Sequence, residues 1–304
     1  MKKQKVWTNP ECLSCLIAIT HDLLQKATDD PKVQIEGMQK TYQILKGFAM
    51  TSPPTDVANK IYLMIQNITQ KTDLFKDIKV KSNELARVVM NRIRPSIRAI
   101  KDLNVRLERG LAAAIAGNVI DFGTSGHSVE LTREFLEQIY RDIVKEGFAI
   151  DNSGELLEAL HKSNEIVYIA DNAGEVYFDL LLLEEIKDYV NVILVVKGAP
   201  VSNDATLEDI NHPLFKEFAK KIITTGSGSL GVSVEQSSDE FRKSLQTADF
   251  IIAKGQSNFE TLYFYHQQLT TKPIFFIFRT KCPSIANFME QEIGNNIVML
   301  KNPH

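Results

Sequence analysis

The sequence is short of cysteine, of long apolar runs and of any excess charge of one sign. Three cysteines in 304 residues cannot build a disulfide scaffold. We therefore expect a reduced, cytoplasmic protein. No apolar run approaches the roughly 18 residues that a bilayer span needs, so no membrane partner is expected. The N-terminal MKKQKVWTNPEC is basic, but the LSCLIAIT between it and HDLLQK does not read as a signal-peptide h-region, so a signal peptide is not expected. Lys and Arg total 35 against 38 Asp and Glu, a formal charge of −3. That balance carries no electrostatic footprint for nucleic acid. There is no GxSxG elbow, no HExxH and no GxxxxGK[ST], and there are no internal repeats or Gly/Ser linkers.

What is present is the composition of a soluble globular chain, 44% apolar and 24% charged, long enough for one large domain or two ordinary ones. The first half has helical rhythm. Asn9-Pro10-Glu11 reads as an N-cap, a first-turn proline and a first-turn acid, with the helix running to about Lys26. A second pattern covers about Val33 to Met50. Ile61, Ile65 and Ile68 follow helical spacing after TSPPTD. Leu85, Val89 and Ile93 share a face until Pro95, which is expected to interrupt the helix. Leu103, Leu107 and Leu111, then Phe135, Ile139 and Ile143, mark two more. No strand is expected before about residue 164.

The second half changes period. Short β-rich runs recur at 166 (IVYIA), 190 (VNVILVV), 221 (KIITT), 250 (FIIAK), 273 (PIFFIF) and 296 (NIVML), with helix-length segments between them. Such alternation predicts an α/β fold. A helical N-terminal region (1–150) would pack on a Rossmann-like, mostly parallel sheet with helices on both faces (151–304).

In an open parallel sheet, ligands bind beyond the carboxyl ends of the strands. The predicted ends carry Asp171 and Asn172; Lys197, Asn203 and Asp204; Gly226, Ser227, Gly228 and Ser229; Lys254, Gly255, Gln256 and Asn258; and Arg279, Lys281 and Cys282. Asp171, Asn172 and Asp204 offer all-oxygen ligands suited to hard or borderline divalent ions. Asp171 and Asn172 in DNAGE could equally cap the helix that starts near Glu175. Lys254 could hold a phosphate as a point charge or be an ordinary surface lysine. TGSGSLG matches GxGxxG, but no convincing helix follows it, so an anion-binding backbone loop or a plain turn fits better than a dinucleotide site. Cys12 and Cys15 form a CxxC on one face of a helix first turn. Four zinc ligands are not evident, so they read as buried thiols without a role.

Taken in order, DNAGE, NDATLED, TGSGSLG, AKGQSNFETL and RTKCPSIA resemble the metal-dependent damage-control phosphatase family, once proposed to hold carboxyl methyltransferases. The N-terminal ECLSC and the central AGNVIDFG resemble its microbial, CxxC-containing branch. The resemblance implies a divalent metal (Mn, Mg, Co or Ni) on Asp171, Asn172 and Asp204, with Asp209 the competing acid. It implies Lys254 and Asn258 near a substrate phosphate, with Glu175 completing DNAGE, and Asn118 and Asp121 reaching the cleft from the helical side. The expected activity is metal-dependent phosphomonoester hydrolysis of a small phosphorylated metabolite, such as a sugar phosphate or a related damaged compound. In that scheme loop N–H groups near Gly226, Ser227 and Gly228 stabilise phosphoryl charge. The alternatives are an S-adenosylmethionine-dependent carboxyl methyltransferase and a non-catalytic metal- or nucleotide-binding module.

Overall fold

A computed structural model of the chain describes residues 8–49, 52–119 and 132–303. Helices come first: α1 (Pro10–Ala27), α2 (Pro31–Leu45), α3 (Pro54–Thr69), α4 (Lys76–Arg98), α5 (Leu103–Gly117) and α6 (Arg133–Glu146). Strands and helices then alternate: β1 (Ile150–Asp151), α7 (Ser153–Lys162), β2 (Glu165–Ile169), α8 (Glu175–Ile186), β3 (Asn191–Val196), α9 (Pro213–Phe218) and β4 (Lys221–Thr224). They continue through α10 (Asp239–Thr247), β5 (Phe250–Lys254), α11 (Gln256–Phe264), α12 (His266–Leu269), β6 (Ile274–Arg279), α13 (Pro283–Met289) and β7 (Asn296–Lys301).

The strands form a seven-stranded sheet in the order β1-β7-β6-β5-β2-β3-β4. Every pairing is parallel except β6–β7. From β2 the chain steps outward to β3 and β4. It then returns to β5, beside β2, and steps outward the other way. The gap between β2 and β5 is therefore the topological switch point, where open α/β sheets bind ligands.

Strand pleating sends alternate side chains to opposite faces. Val167 and Ile169 join Phe241, Leu245, Phe259 and Ile285 on the face covered by α10, α11 and α13. Ile166 and Tyr168 join the core under α4, α5 and α8. With helices on both faces, the central strands read as unbroken apolar runs. Helix α8 lies between the sheet and α4/α5, and all its residues are buried. Its carboxylates are therefore paired: Glu184 accepts from Arg94 at 2.7 Å through both oxygens, and Glu185 meets Arg106 at 2.7 Å. Helices α1–α3 hold a separate core of Leu16, Leu23, Leu24, Ile61 and Ile65, closed against the α/β part by Val201. No described helix is long and apolar enough to cross a membrane.

Three local expectations need correction. Pro95 does not interrupt α4, which continues to Arg98. Pro95 sits in the last turn, where only one intrahelical bond is lost, and Arg94 and Arg98 anchor that turn to Glu184. Helix α2 ends at Leu45, short of Met50. A strand does precede residue 164: β1 pairs Ile150 with Ile297 and Asp151 with Val298. Two residues are too few for an alternating pattern, so only the partner strand defines β1.

Helices α5 and α8 cross closely because glycines face the contact. A Cβ on Gly117 would lie 2.8 Å from the Phe178 Cβ and 3.1 Å from the Glu175 carbonyl oxygen. Gly117→Ala is expected to cost about 1–3 kcal/mol through overpacking, read as a lower midpoint in equilibrium urea unfolding.

Candidate active site

Beyond Ile169, Asp171 and Asn172 continue off the end of β2 into the turn before α8. The loop after β3 doubles back to meet them. Ser202 takes a left-handed backbone (φ 46°) at the reversal. Ala205 N–H then donates to the Asp171 carbonyl at 2.8 Å, and Ala173 N–H donates to the Asn203 carbonyl at 2.8 Å. These bonds set Asn172 opposite Asp204 in an isolated antiparallel bridge. Thus the expected metal trio is brought together, on one wall of a cavity of about 220 Å³. Asp209, the competing acid, serves the loop instead. It accepts from Thr206 N–H and Oγ1 at 2.8 and 2.9 Å and from Asn83 at 2.9 Å.

The helix-cap reading of DNAGE does not hold. The N-cap of α8 is Gly174, with no side-chain cap bond. Asn172 Nδ2 instead donates to Asp171 Oδ2 at 2.8 Å and to Glu175 Oε2 at 2.9 Å. Asn118, at the end of α5, donates to the same two carboxylates at 3.2 and 2.9 Å and accepts from Arg279 N–H at 3.3 Å. It therefore meets Asp171 from the helical side as a buried partner outside the cavity lining; Asp121 lies outside the described residues. Gly255 has φ +79°, and a Cβ there would run into the Asp171 carboxylate, so β5 turns into α11 directly against that acid.

Lys254 is placed differently from expectation. It is the last residue inside β5, so pleating turns it onto the α5/α8 face rather than off the strand end. Its ammonium is fully buried and donates to Glu175 Oε1 at 2.7 Å, Asp179 Oδ1 at 2.6 Å and the Ala114 carbonyl at 2.9 Å. Burial opposes its charge, but the Asp179 and Glu175 carboxylates outweigh burial and hold the ammonium above the ordinary lysine range. Burial in turn pushes Asp179 up to about 6, against the pull of Lys254. Asn258 is also fully buried and clamps two strand ends, donating to the carbonyls of Ala170 at 3.1 Å and Lys254 at 2.7 Å.

The glycine loop faces elsewhere too. Gly226 and Ser227 pack on Gly198, and Gly228 lines a neighbouring cavity beside Pro200. No helix starts until Asp239, so the loop is not a dinucleotide fingerprint.

The rest of the cavity lining holds what sequence reading underweighted. It includes Leu16, Ala58 and Tyr62 from α1 and α3, the start of α11 at Gln256 and Ser257, Glu260, and Lys281 after β6. All three cysteines line it. Cys15 is exposed rather than buried, whereas burial pushes the Cys282 thiol up to about 12. Among the described residues, no three Cys, His, Asp or Glu side chains are grouped to hold a metal; Asn172 makes the oxygen trio mixed. One signal for Glu260 was legible: it follows Gln256 by one i,i+4 step in a predicted helix.

The damage-control phosphatase ARMT1-like domain model matches residues 8–297. The chain belongs to that family. It is 34% identical to a damage-control phosphatase of Pyrococcus horikoshii over 95% of this chain and 96% of that one. It is 30% identical to a damage-control phosphatase of Archaeoglobus fulgidus, over 95% and 97%. The crystal structure of a DUF89-family protein from P. horikoshii superposes with a TM-score of 0.83 at 33% identity, over 96% of this chain and 98% of that one.

In this family member Lys254 has a structural duty that can be tested. Lys254→Met would strand two buried carboxylates and is expected to cost about 3–5 kcal/mol. Adding Asp179→Asn should recover part of that loss in urea titrations.

Proposed function

We propose that this chain is a metal-dependent phosphomonoesterase acting on small phosphorylated metabolites, in a reducing, cytoplasmic setting. The observation that carries the reading is the meeting of Asp171, Asn172 and Asp204 on one cavity wall at the switch point, beside the start of α11.

The trio fits a divalent ion. Its donors are oxygens, the set suited to Mg²⁺ or Mn²⁺ and accessible to Co²⁺ or Ni²⁺. The Asn172 amide nitrogen points at Asp171 and Glu175, which turns its carbonyl oxygen the other way. Asn118 and Asn172 together fix Asp171 Oδ2. Lys197 sits 3.4 Å from Asp204 Oδ2 and donates to the Gly231 carbonyl, which orients the second acid. A bound ion would polarise a phosphoryl oxygen and neutralise developing charge.

The chain's own groups divide the remaining work. Helix α11 has Gly255 as N-cap and no side-chain cap, so its first-turn N–H groups at Gln256 and Ser257 are oriented for phosphate oxygens. Lys281 is the cationic side chain among the described lining residues and suits the same anion. This supports a phosphate site built by α11 and Lys281, with Lys254 and Asn258 holding the scaffold behind it. The apolar wall from α1 and α3 suits the organic part of a small ester and keeps bulk water from the phosphoryl group. No observation favours the methyltransferase alternative, since the glycine loop opens on the neighbouring cavity.

The test is phosphate release from p-nitrophenyl phosphate and a panel of sugar phosphates. Chelator-stripped protein would be resupplied with Mg²⁺, Mn²⁺, Co²⁺ or Ni²⁺ in turn. We expect activity to return with metal. Asp171→Ala should lose more than the roughly 100-fold that removal of an outer-shell partner costs. No turnover by folded wild-type protein with any of the metals would defeat the reading.

A further inference from the structure

The proposed ligands use Asp171 and Asp204, yet the cavity holds another carboxylate. Glu260 stands on α11 one helical step beyond Gln256 and Ser257, about 6 Å further along the axis from Gln256. These residues share the helix face that fronts the cavity. Its Oε2 accepts from the Thr55 hydroxyl at 2.5 Å. Thr55 is the second residue of α3, a helix whose N-cap position, Pro53, supplies no side-chain bond. Glu260 therefore ties the roof helix α3 to α11 and stands where the roof meets the phosphate end of the cavity.

We propose that Glu260 is a catalytic residue of this site, the acid that protonates the departing ester oxygen. The proposal rests on the phosphatase reading above. As the P–O bond to the organic group breaks, its electron pair goes to the ester oxygen, which takes the Glu260 proton and leaves as an alcohol. The oxygen of a water forms the new bond to phosphorus. A proton of that water returns to the Glu260 carboxylate, so the products are alcohol and hydrogenphosphate and the acid is restored.

The surroundings fit that role. Burial pushes the Glu260 carboxyl up to about 7, with Thr55 pulling the other way and Asp56 of α3 adding to the rise. Around it stand Asp56, hydrogen-bonded by Tyr265, the Cys12 and Cys15 thiols of α1, Cys282 at the cap of α13, and Lys281. Cys282 stays a neutral thiol at working pH, with Glu260 contributing to its raised value after burial. A carboxylic acid still protonated near neutrality is matched to proton transfer there. The sign follows: Glu260 holds its proton below about pH 7 and loses it above, so turnover that needs the acid should fall through that range.

A purely structural Glu260 would tie α3 to α11 and nothing more, and Glu260→Gln can still accept from Thr55. The experiment compares wild type and Glu260→Gln, both metal-loaded, on an alkyl phosphomonoester and on p-nitrophenyl phosphate, whose leaving group needs no proton. Thermal unfolding checks the variant's fold. We expect kcat/KM on the alkyl ester to fall by about 100-fold or more, against a several-fold fall on p-nitrophenyl phosphate. The wild-type decline above about pH 7 on the alkyl ester should be absent in the variant. Equal losses on both esters, or an unchanged pH profile, would overturn the role of Glu260 and leave the phosphatase reading standing. Wild type inactive on both esters would overturn the two together. Should Glu260→Gln unfold, Thr55→Val keeps the acid but removes the bond that lowers its carboxyl, and it must move the alkyl-ester decline to higher pH for the proposal to survive.

Discussion

A lysine ammonium with no exposure to water is the constraint around which the rest is arranged. A buried charge without partners would cost far more than a domain can spare. Lys254 is therefore surrounded: Glu175 and Asp179 from α8, and a carbonyl from α5. The lysine and its partners come from three elements distant in sequence, so the ammonium fixes how β5, α8 and α5 sit against one another. The network does not stop there. Glu175 gives Oε1 to Lys254 and Oε2 to Asn118 and Asn172, and both amides reach Asp171. A charge pair that holds the fold is thus continuous with the acid that we assign to the metal.

That continuity accounts for the turn after β2. Its residues are polar because they are wired into the network behind them and the cavity before them, with no part in capping α8. The same economy operates at β5. Gly255 lets the chain turn against Asp171, and the helix that begins there presents uncapped N–H groups beside the acids. Hard oxygen donors form one wall. Apolar and thiol side chains from α1 and α3 form the other, and Glu260 joins the roof to the floor.

The architecture was largely legible. Unbroken runs such as IVYIA and FIIAK marked strands buried on both faces, and the spacing of segments between them marked the crossover helices. The placing of Asp171 and Asn172 beyond a strand end followed from topology alone, whereas Asp204 is brought to them by the loop that doubles back after β3. Lys254 was legible as a residue at the end of β5 but not as to its direction. Whether a side chain leaves a strand along its axis or onto a face depends on where the last ladder bond falls, one residue either way. Pro95 likewise reads as a breaker until Arg94 and Arg98 are seen gripping Glu184. Cys282 was visible only as a residue beyond a strand end, and Glu260 only as an i,i+4 neighbour of Gln256.

By itself, then, the chain's order of residues determined the class of fold, the edge of the sheet where chemistry collects and the oxygen donors available there, because those depend on local period and on strand-end chemistry. Only the tertiary structure decided that Asp204 rather than Asp209 faces Asn172, that the Lys254 ammonium turns onto the α5/α8 face, and that Glu260, Lys281 and all the cysteines share the acids' cavity. Those facts depend on contacts between residues tens to hundreds of positions apart. Loop reversal, burial and partner choice set such contacts, and no periodicity along the chain records them.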